Sequence, residues 1–303
     1  MSRTMRYDAL IIGGSYAGLS AAMALGRSHR QVLVLDSGLP CNRQTPHSHN
    51  FITQDGNTPA AIAAIAREQV AAYPSVSFHT GKAISGRNEQ GLFYITTEAG
   101  ETFAGKKVLF ATGLTDELPD IPGFAECWGI SVIHCPYCHG YEYTNVPTGI
   151  LMNGDMAWHI VQLLYNLTKE LTIFTNGPVT LSETQVSQLA KYRIAVNDTP
   201  VTSITHEAGQ LHAIELADGS RHALSALYAR PPIRQHCGIP EALGCQLTEN
   251  GLIVVNEVQV TTVPGVFAAG DNTTPVRSVS NAVAAGTRAG AMINMELCEG
   301  VFA

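Results

Sequence analysis

Residues 9–36 restrict the fold of this chain more than any other stretch. Ala9-Leu10-Ile11-Ile12 is a continuous apolar run, the pattern of a short strand buried on both faces of a parallel sheet. It leads into Gly13-Gly14-Ser15-Tyr16-Ala17-Gly18, then a helix-like run over 19–25, then Gln31-Val32-Leu33-Val34-Leu35, which ends at Asp36. Strand, glycine turn, helix, strand and acid, with the acid about twenty residues beyond the turn, is a dinucleotide-binding fingerprint. Gly13 permits the tight turn and Gly18 close helix–strand packing, while the small Ser15 stands at the middle glycine position. The amides that open the helix, around Ser15 and Ala17, would cradle a pyrophosphate, and Asp36 would accept hydrogen bonds from ribose hydroxyls.

With 303 residues the chain has room for two domains with full cores. Its 45% apolar and 14% charged content suit a folded enzyme rather than a disordered chain. A net charge of −7 argues against nucleic acid as a partner. No run of about eighteen uncharged apolar residues occurs, so no membrane span is expected. Residues 1–8 lead directly into the first strand and leave no room for a signal peptide, so the expected location is cytoplasmic. In that reducing compartment most of the cysteines should be free packing residues, Cys41 among them.

Two cysteines stand three apart, in Cys135-Pro136-Tyr137-Cys138-His139-Gly140-Tyr141-Glu142. Alone, this octet fits a dithiol redox centre, half of a zinc site, a c-type haem attachment or a pair of buried thiols. Elsewhere, residues 37–56 are rich in Pro, His, Asn and Gly and read as a loop that hugs a ligand. His47 and His49 within it lack the cysteines or carboxylates that would complete a metal site, and no metal is assigned. An Ala-rich helix is expected over 59–73 and strands over 76–83 and 92–97. Lys107-Val108-Leu109-Phe110 is another buried strand, ending in Ala111-Thr112-Gly113. Near the C-terminus a strand ends at Gly270-Asp271, which can hydrogen-bond a ribityl or phosphate group. A helix-like run over 279–297 follows, whose N-terminal dipole can face a flavin ring.

In this order Gly13 to Gly18, Asp36, Ala111-Thr112-Gly113, Cys135, Cys138 and Gly270-Asp271 resemble the low-molecular-weight thioredoxin reductases. The run Cys-x-x-Cys-His-Gly-Tyr-Glu resembles the branch that includes reductase-like proteins and the dithiol oxidases of gliotoxin- and holomycin-type natural products. The resemblance covers essentially the whole chain. It implies an α/β fold of two dinucleotide-binding, Rossmann-like domains. The FAD domain is split, over residues 1–114 and 232–303, around an inserted smaller domain, residues 115–231, that carries the cysteine pair. Glu117-Leu118-Pro119-Asp120-Ile121-Pro122-Gly123 corresponds to the first crossover, and Ala229-Arg230-Pro231-Pro232 lies near the return.

The resemblance further implies FAD as cofactor, a homodimer, and a thioredoxin-like protein or a small dithiol or disulfide as partner. In the implied two-electron relay Cys138 faces the flavin and Cys135 exchanges with substrate. His139 stands where ordinary thioredoxin reductases carry an acid, and an imidazole can give or take a proton near neutral pH. Beside this, the haem reading lacks an export signal and the zinc reading lacks two further ligands.

The inserted domain departs from the family pattern at its own fingerprint, Met152-Asn153-Gly154-Asp155-Met156-Ala157. Met152 replaces the first glycine, and Asp155 adds a negative charge where a pyrophosphate would sit. The next strand ends in Thr175-Asn176-Gly177-Pro178, without the arginine pair that clamps the 2′-phosphate in NADPH-specific relatives. These departures weigh against NADPH, and NADH gains no support either. Three functions follow. The expected one is an FAD-dependent, thioredoxin reductase-like disulfide oxidoreductase, fed by NAD(P)H or by another donor such as ferredoxin. The others are an oxygen-dependent oxidase of small dithiols and a redox-sensing flavoprotein with little turnover.

Overall fold

The computed structural model describes residues 6–302. Residues 1–5, part of the N-terminus read above as leaderless, lie outside the described residues. The chain separates into two units by its contacts rather than by chain continuity. One comprises residues 1–43, 57–115 and 233–303; the other comprises 116–232 together with the loop 44–56.

The first unit opens with β1 (Arg6–Ile12), α1 (Tyr16–Arg27), β2 (Val32–Asp36), α2 (Pro59–Ala71), β3 (Val76–Thr80), β4 (Ala83–Glu89), β5 (Leu92–Thr97) and β6 (Thr102–Phe110). Strand order is β3-β2-β1-β6-β5-β4, with the first four parallel and β5 and β4 antiparallel. Ala9, Leu10 and Ile11 are completely buried, as their unbroken apolar run requires. Ile12 is level with Leu35 in β2 and with Phe110 in β6. That register delivers the Gly13 turn, Asp36 and Ala111 to one edge of the sheet, where parallel α/β sheets bind ligands. Thr58 caps α2 by accepting from Ala61 N at 3.1 Å, and Pro59 fills its first position. The strand expected over 76–83 breaks near Gly81, and β4 begins a new, mostly exposed edge strand whose polar residues gave no alternating signal.

Then come β7 (Leu114–Asp116), α3 (Phe124–Cys127), β8 (Val132–Ile133), α4 (Pro136–His139), β9 (Thr148–Leu151), α5 (Gly154–Leu164), β10 (Leu171–Phe174), α6 (Glu183–Lys191), β11 (Ala195–Asn197), β12 (Val201–Glu207), β13 (Gln210–Leu216), β14 (Arg221–Ala223) and β15 (Ala226–Ala229). A second parallel sheet has the order β11-β10-β9-β15-β8. Ile150 and Ile173 pack with Ile160 and Leu164 of α5, and Leu189 of α6, in one core layer. Phe174 and Leu227 pack with Ile204, Leu211 and Ile214 of the antiparallel β12-β13-β14 sheet in another.

The chain returns through β16 (Ile233–Gln235), which pairs with β7, then α7 (Ile239–Ala242), β17 (Val266–Ala268), which adds to β6 in parallel, and α8 (Val279–Phe302). Helix α8 runs past the expected 297 and lies against α1. A Cβ on Gly286 would sit 2.0 Å from the Ala17 carbonyl oxygen. No described helix is long and apolar enough to cross a membrane. The architecture is the expected α/β pair of Rossmann-type units.

Candidate functional site

In the first unit the fingerprint residues converge. Gly13 has φ +107°, and a Cβ there would lie 2.2 Å from the Ala111 carbonyl oxygen, so only glycine fits this turn. Gly18 abuts the Gly13 carbonyl, Gly14 backs onto the Asp36 side chain, and Gly270 approaches Ala17. Ser15 is the N-cap of α1, but its side chain makes no capping bond, and the first turn carries no acid. The amides of that turn, and the positive end of the helix dipole, are therefore not claimed by a side chain of the cap. Asn272 is completely buried; its Nδ2 donates to the Phe110 carbonyl at 2.9 Å and to Thr112 Oγ1 at 3.4 Å. It thereby ties the Ala111-Thr112-Gly113 segment to Gly270-Asp271, while its Oδ1 has no partner among the described residues. Arg277 pairs with Asp271 at 3.4 Å. A bare helix start, a strand-end carboxylate and an orphaned buried oxygen suit FAD.

In the second unit Cys135 and Cys138 form a disulfide, with Cα atoms 5.3 Å apart. Cys135 is the N-cap of α4, Pro136 takes its first position, and Cys138 N donates to Cys135 Sγ at 3.1 Å. A Cβ on Gly140 would meet the Pro136 carbonyl at 2.3 Å and Leu167 Cδ1 at 2.5 Å. Glycine there lets the chain pass Leu167 into the 3-10 turn Tyr141–Tyr143, which carries Glu142 three residues beyond His139. Burial lowers the pKa of half-buried His139; Glu142 raises it, and His49 lowers it again. The net direction is down, which keeps the imidazole neutral and able to accept a proton near pH 7. In the loop read as hugging a ligand, His47 Nδ1 meets the Gly56 carbonyl at 2.9 Å, and His49 Nε2 meets Glu142 Oε1 at 3.4 Å. Among the free thiols, burial raises the pKa of Cys127, Cys237 and Cys245, which makes them poor nucleophiles.

The second fingerprint takes a different form. Met152 is buried in the core layer under α5 instead of opening a tight glycine turn. Asn153, the N-cap of α5, accepts from Gly154 N and from Thr180 N, each at 2.9 Å, and its Nδ2 donates to the Pro178 carbonyl at 2.8 Å. Asp155 lies in the first turn and accepts from Gln185 Nε2 at 2.9 Å. The chain thus supplies its own polar atoms and its own negative charge where a pyrophosphate would bind. Sequence reasoning flagged Met152 and Asp155 but missed Asn153, Asn272 and the His49–Glu142 contact. An Asn one residue before a helical run is a capping signal and could have revealed the first; the others are long-range contacts.

Thiol–disulfide exchange joined to a bound dinucleotide is the work of flavin disulfide oxidoreductases, and likeness to known proteins agrees. The chain belongs to the pyridine nucleotide-disulphide oxidoreductase family, which its residues 7–286 match, and is an FAD-dependent, thioredoxin reductase-like member. It is similar to the thioredoxin reductase tcpT of Claviceps purpurea, 36% identical over 308 residues, or 98% of this chain and 96% of that protein. Among solved structures, an oxidoreductase from Agrobacterium tumefaciens matches with a TM-score of 0.91 at 38% identity, over 97% of this chain and 99% of that one. HlmI matches with a TM-score of 0.92 at 32% identity, over 99% and 95%.

Proposed function

We propose that this flavoprotein runs in the direction of dithiol oxidation, turning a small dithiol and O2 into a disulfide and H2O2. The observation that carries this reading is the start of α5, where Asn153 and Asp155 hold the place of a pyridine nucleotide's phosphates. A chain that does not take electrons from NAD(P)H can take them from its thiol substrate instead. A substrate thiolate attacks Cys135, Cys138 leaves as a thiolate that takes up a proton, and the second substrate thiol then displaces Cys135 to close the product disulfide. His139 accepts protons from the substrate thiols and returns them to the two cysteines. When bound, FAD would supply a two-electron acceptor for the Cys135–Cys138 dithiol.

Gly13, Ser15, Ala17 and Gly18 would hold the FAD pyrophosphate and Asp36 its ribose. Ala111, Thr112, Gly113, Gly270 and Asp271 would line the remainder. The FAD domain is taken as residues 1–114 and 232–303 with residues 115–231 inserted, and a homodimer is what the resemblance to thioredoxin reductases implies.

Anaerobic mixing tests the direction. Dithiothreitol should bleach the flavin absorbance, NADPH and NADH should leave it unchanged, and air should restore it with one H2O2 per disulfide formed. Rapid bleaching by NADPH would overturn the reading. Bleaching by reduced ferredoxin but not by dithiols would reverse the direction to disulfide reduction.

A further inference from the structure

The loop over 44–56 brings one imidazole to the disulfide turn that the chemistry above leaves unused. His49 Nε2 lies 3.4 Å from Glu142 Oε1, and its Nδ1 lies 3.6 Å from Asp55 Oδ2. One side chain, 23% exposed, therefore stands between two carboxylates that both reach solvent, Asp55 at 65% and Glu142 at 37%. The loop holds this arrangement with its own bonds. Asn50 N donates to Asp55 Oδ1 at 2.7 Å, Gly56 N donates to the Ser48 carbonyl at 2.9 Å, and the Ser48 side chain is buried. Thr45 adds packing, since a Cβ on Gly129 would meet its Oγ1 at 3.4 Å.

On the other side of the contact, Glu142 follows His139 by three residues, across Gly140, a spacing that brings side chains to one side of a helical turn. The charged groups that bear on His139 are Glu142 from this turn and His49 from the loop. Glu142 also bears on Tyr143 and on Tyr228, whose buried hydroxyl has no partner among the described residues.

We propose that His49 is a positioning residue of the disulfide site: held between Asp55 and Glu142, it fixes the Glu142 carboxylate against His139. The proposal rests on the roles of Cys135, Cys138 and His139 given above. In the interchange two protons leave the substrate thiols and two join the cysteines, while one S–S bond breaks and one forms. His139 must load and unload a proton at each step, and His49 holds in place the partly exposed Glu142 carboxylate that bears on that imidazole. Glu142 and His49 act on His139 in opposite senses, the carboxylate favouring its protonated form and the imidazole disfavouring it.

The test is anaerobic flavin reduction by dithiothreitol, followed across pH in the full-length, FAD-loaded protein and in His49→Gln, Glu142→Gln and His139→Gln. Near neutral pH His49→Gln should slow reduction by about three- to tenfold. Its acid limb should move to higher pH, and that of Glu142→Gln to lower pH. The double variant should lose less than the product of the two single losses, as for residues in one network. Free imidazole should restore the rate of His49→Gly. A wild-type rate and profile in His49→Gln, beside a slowed His139→Gln, would overturn the role of His49 alone. Wild-type behaviour in His139→Gln would instead overturn the reading on which it rests. Should His49→Gln lose its flavin, an unshifted Glu142→Gln profile would overturn the proposal by itself.

Discussion

Cys135 Sγ already accepts a hydrogen bond from the Cys138 amide, so the Cys135 thiolate released when the product disulfide closes meets a donor at once. At Cys127, Cys237 and Cys245 burial outweighs the hydrogen bonds to the sulfur and pushes each toward the thiol, and Cys298 accepts from Arg30 at the far end of α8. Cys138→Ser should therefore abolish dithiol turnover and keep the flavin spectrum. Retained turnover would move the chemistry to another thiol, with exposed Cys41 the first to examine. His139 makes a prediction of its own. Its pKa lies below the ordinary histidine value of about 6.5, so its base form persists below that pH. The acid limb of the wild-type rate should fall below pH ~6.5 and disappear in His139→Gln. The same sign governs stability. As pH drops, the unfolded chain takes up this proton before the folded one, so the histidine's contribution is present above ~6.5 and is lost as pH falls through its folded value.

Helices α1 and α5 follow strands in the same way but start in opposite states. At α1 the Ser15 side chain leaves the first-turn amides alone; at α5 the Asn153 side chain takes Gly154 N and also binds the loop at Pro178 and Thr180. One helix start is prepared for an anion and the other is closed by the protein itself. Asn153→Ala should cost about 1–2 kcal/mol in urea unfolding, the upper part of the range for an N-cap, because three bonds are lost together. A loss near zero would mean that the α5 start is not held by this side chain. Strand β1 and helix α2 were legible from an apolar run and from an Ala-rich stretch. Strand β4 was not, because an exposed edge strand needs little apolar sequence to pair with β5.

At the scale of the molecule, FAD should stabilise only the unit that contains the α1 cradle. Thermal unfolding of the flavin-free protein should show two transitions, and added FAD should raise one of them. The gain is about 2.7 kcal/mol at a ligand concentration of 100 Kd. A single transition that shifts as a whole would show that the two units unfold together. Reducing the disulfide should leave the FAD-dependent transition in place, since Cys135 and Cys138 belong to the other unit.

The dinucleotide fold and the redox pair were legible in the sequence because both depend on local chemistry. Gly13 answers to a backbone angle, the run from Ala9 to Ile12 to burial, and the cysteine pair to the reach of a single turn. Met152 and Asp155 likewise showed an altered second fingerprint before any fold was known. How that turn closes was decided by tertiary structure, which brings Pro178 and Thr180 to Asn153 from more than twenty residues away. The same holds for the disulfide's neighbours. His49 and Glu142 are separated by the first unit's middle segment, residues 57–115, and meet only because the loop 44–56 belongs with the second unit. No local spacing records such a contact, because its energy is gained only after the chain between has been ordered.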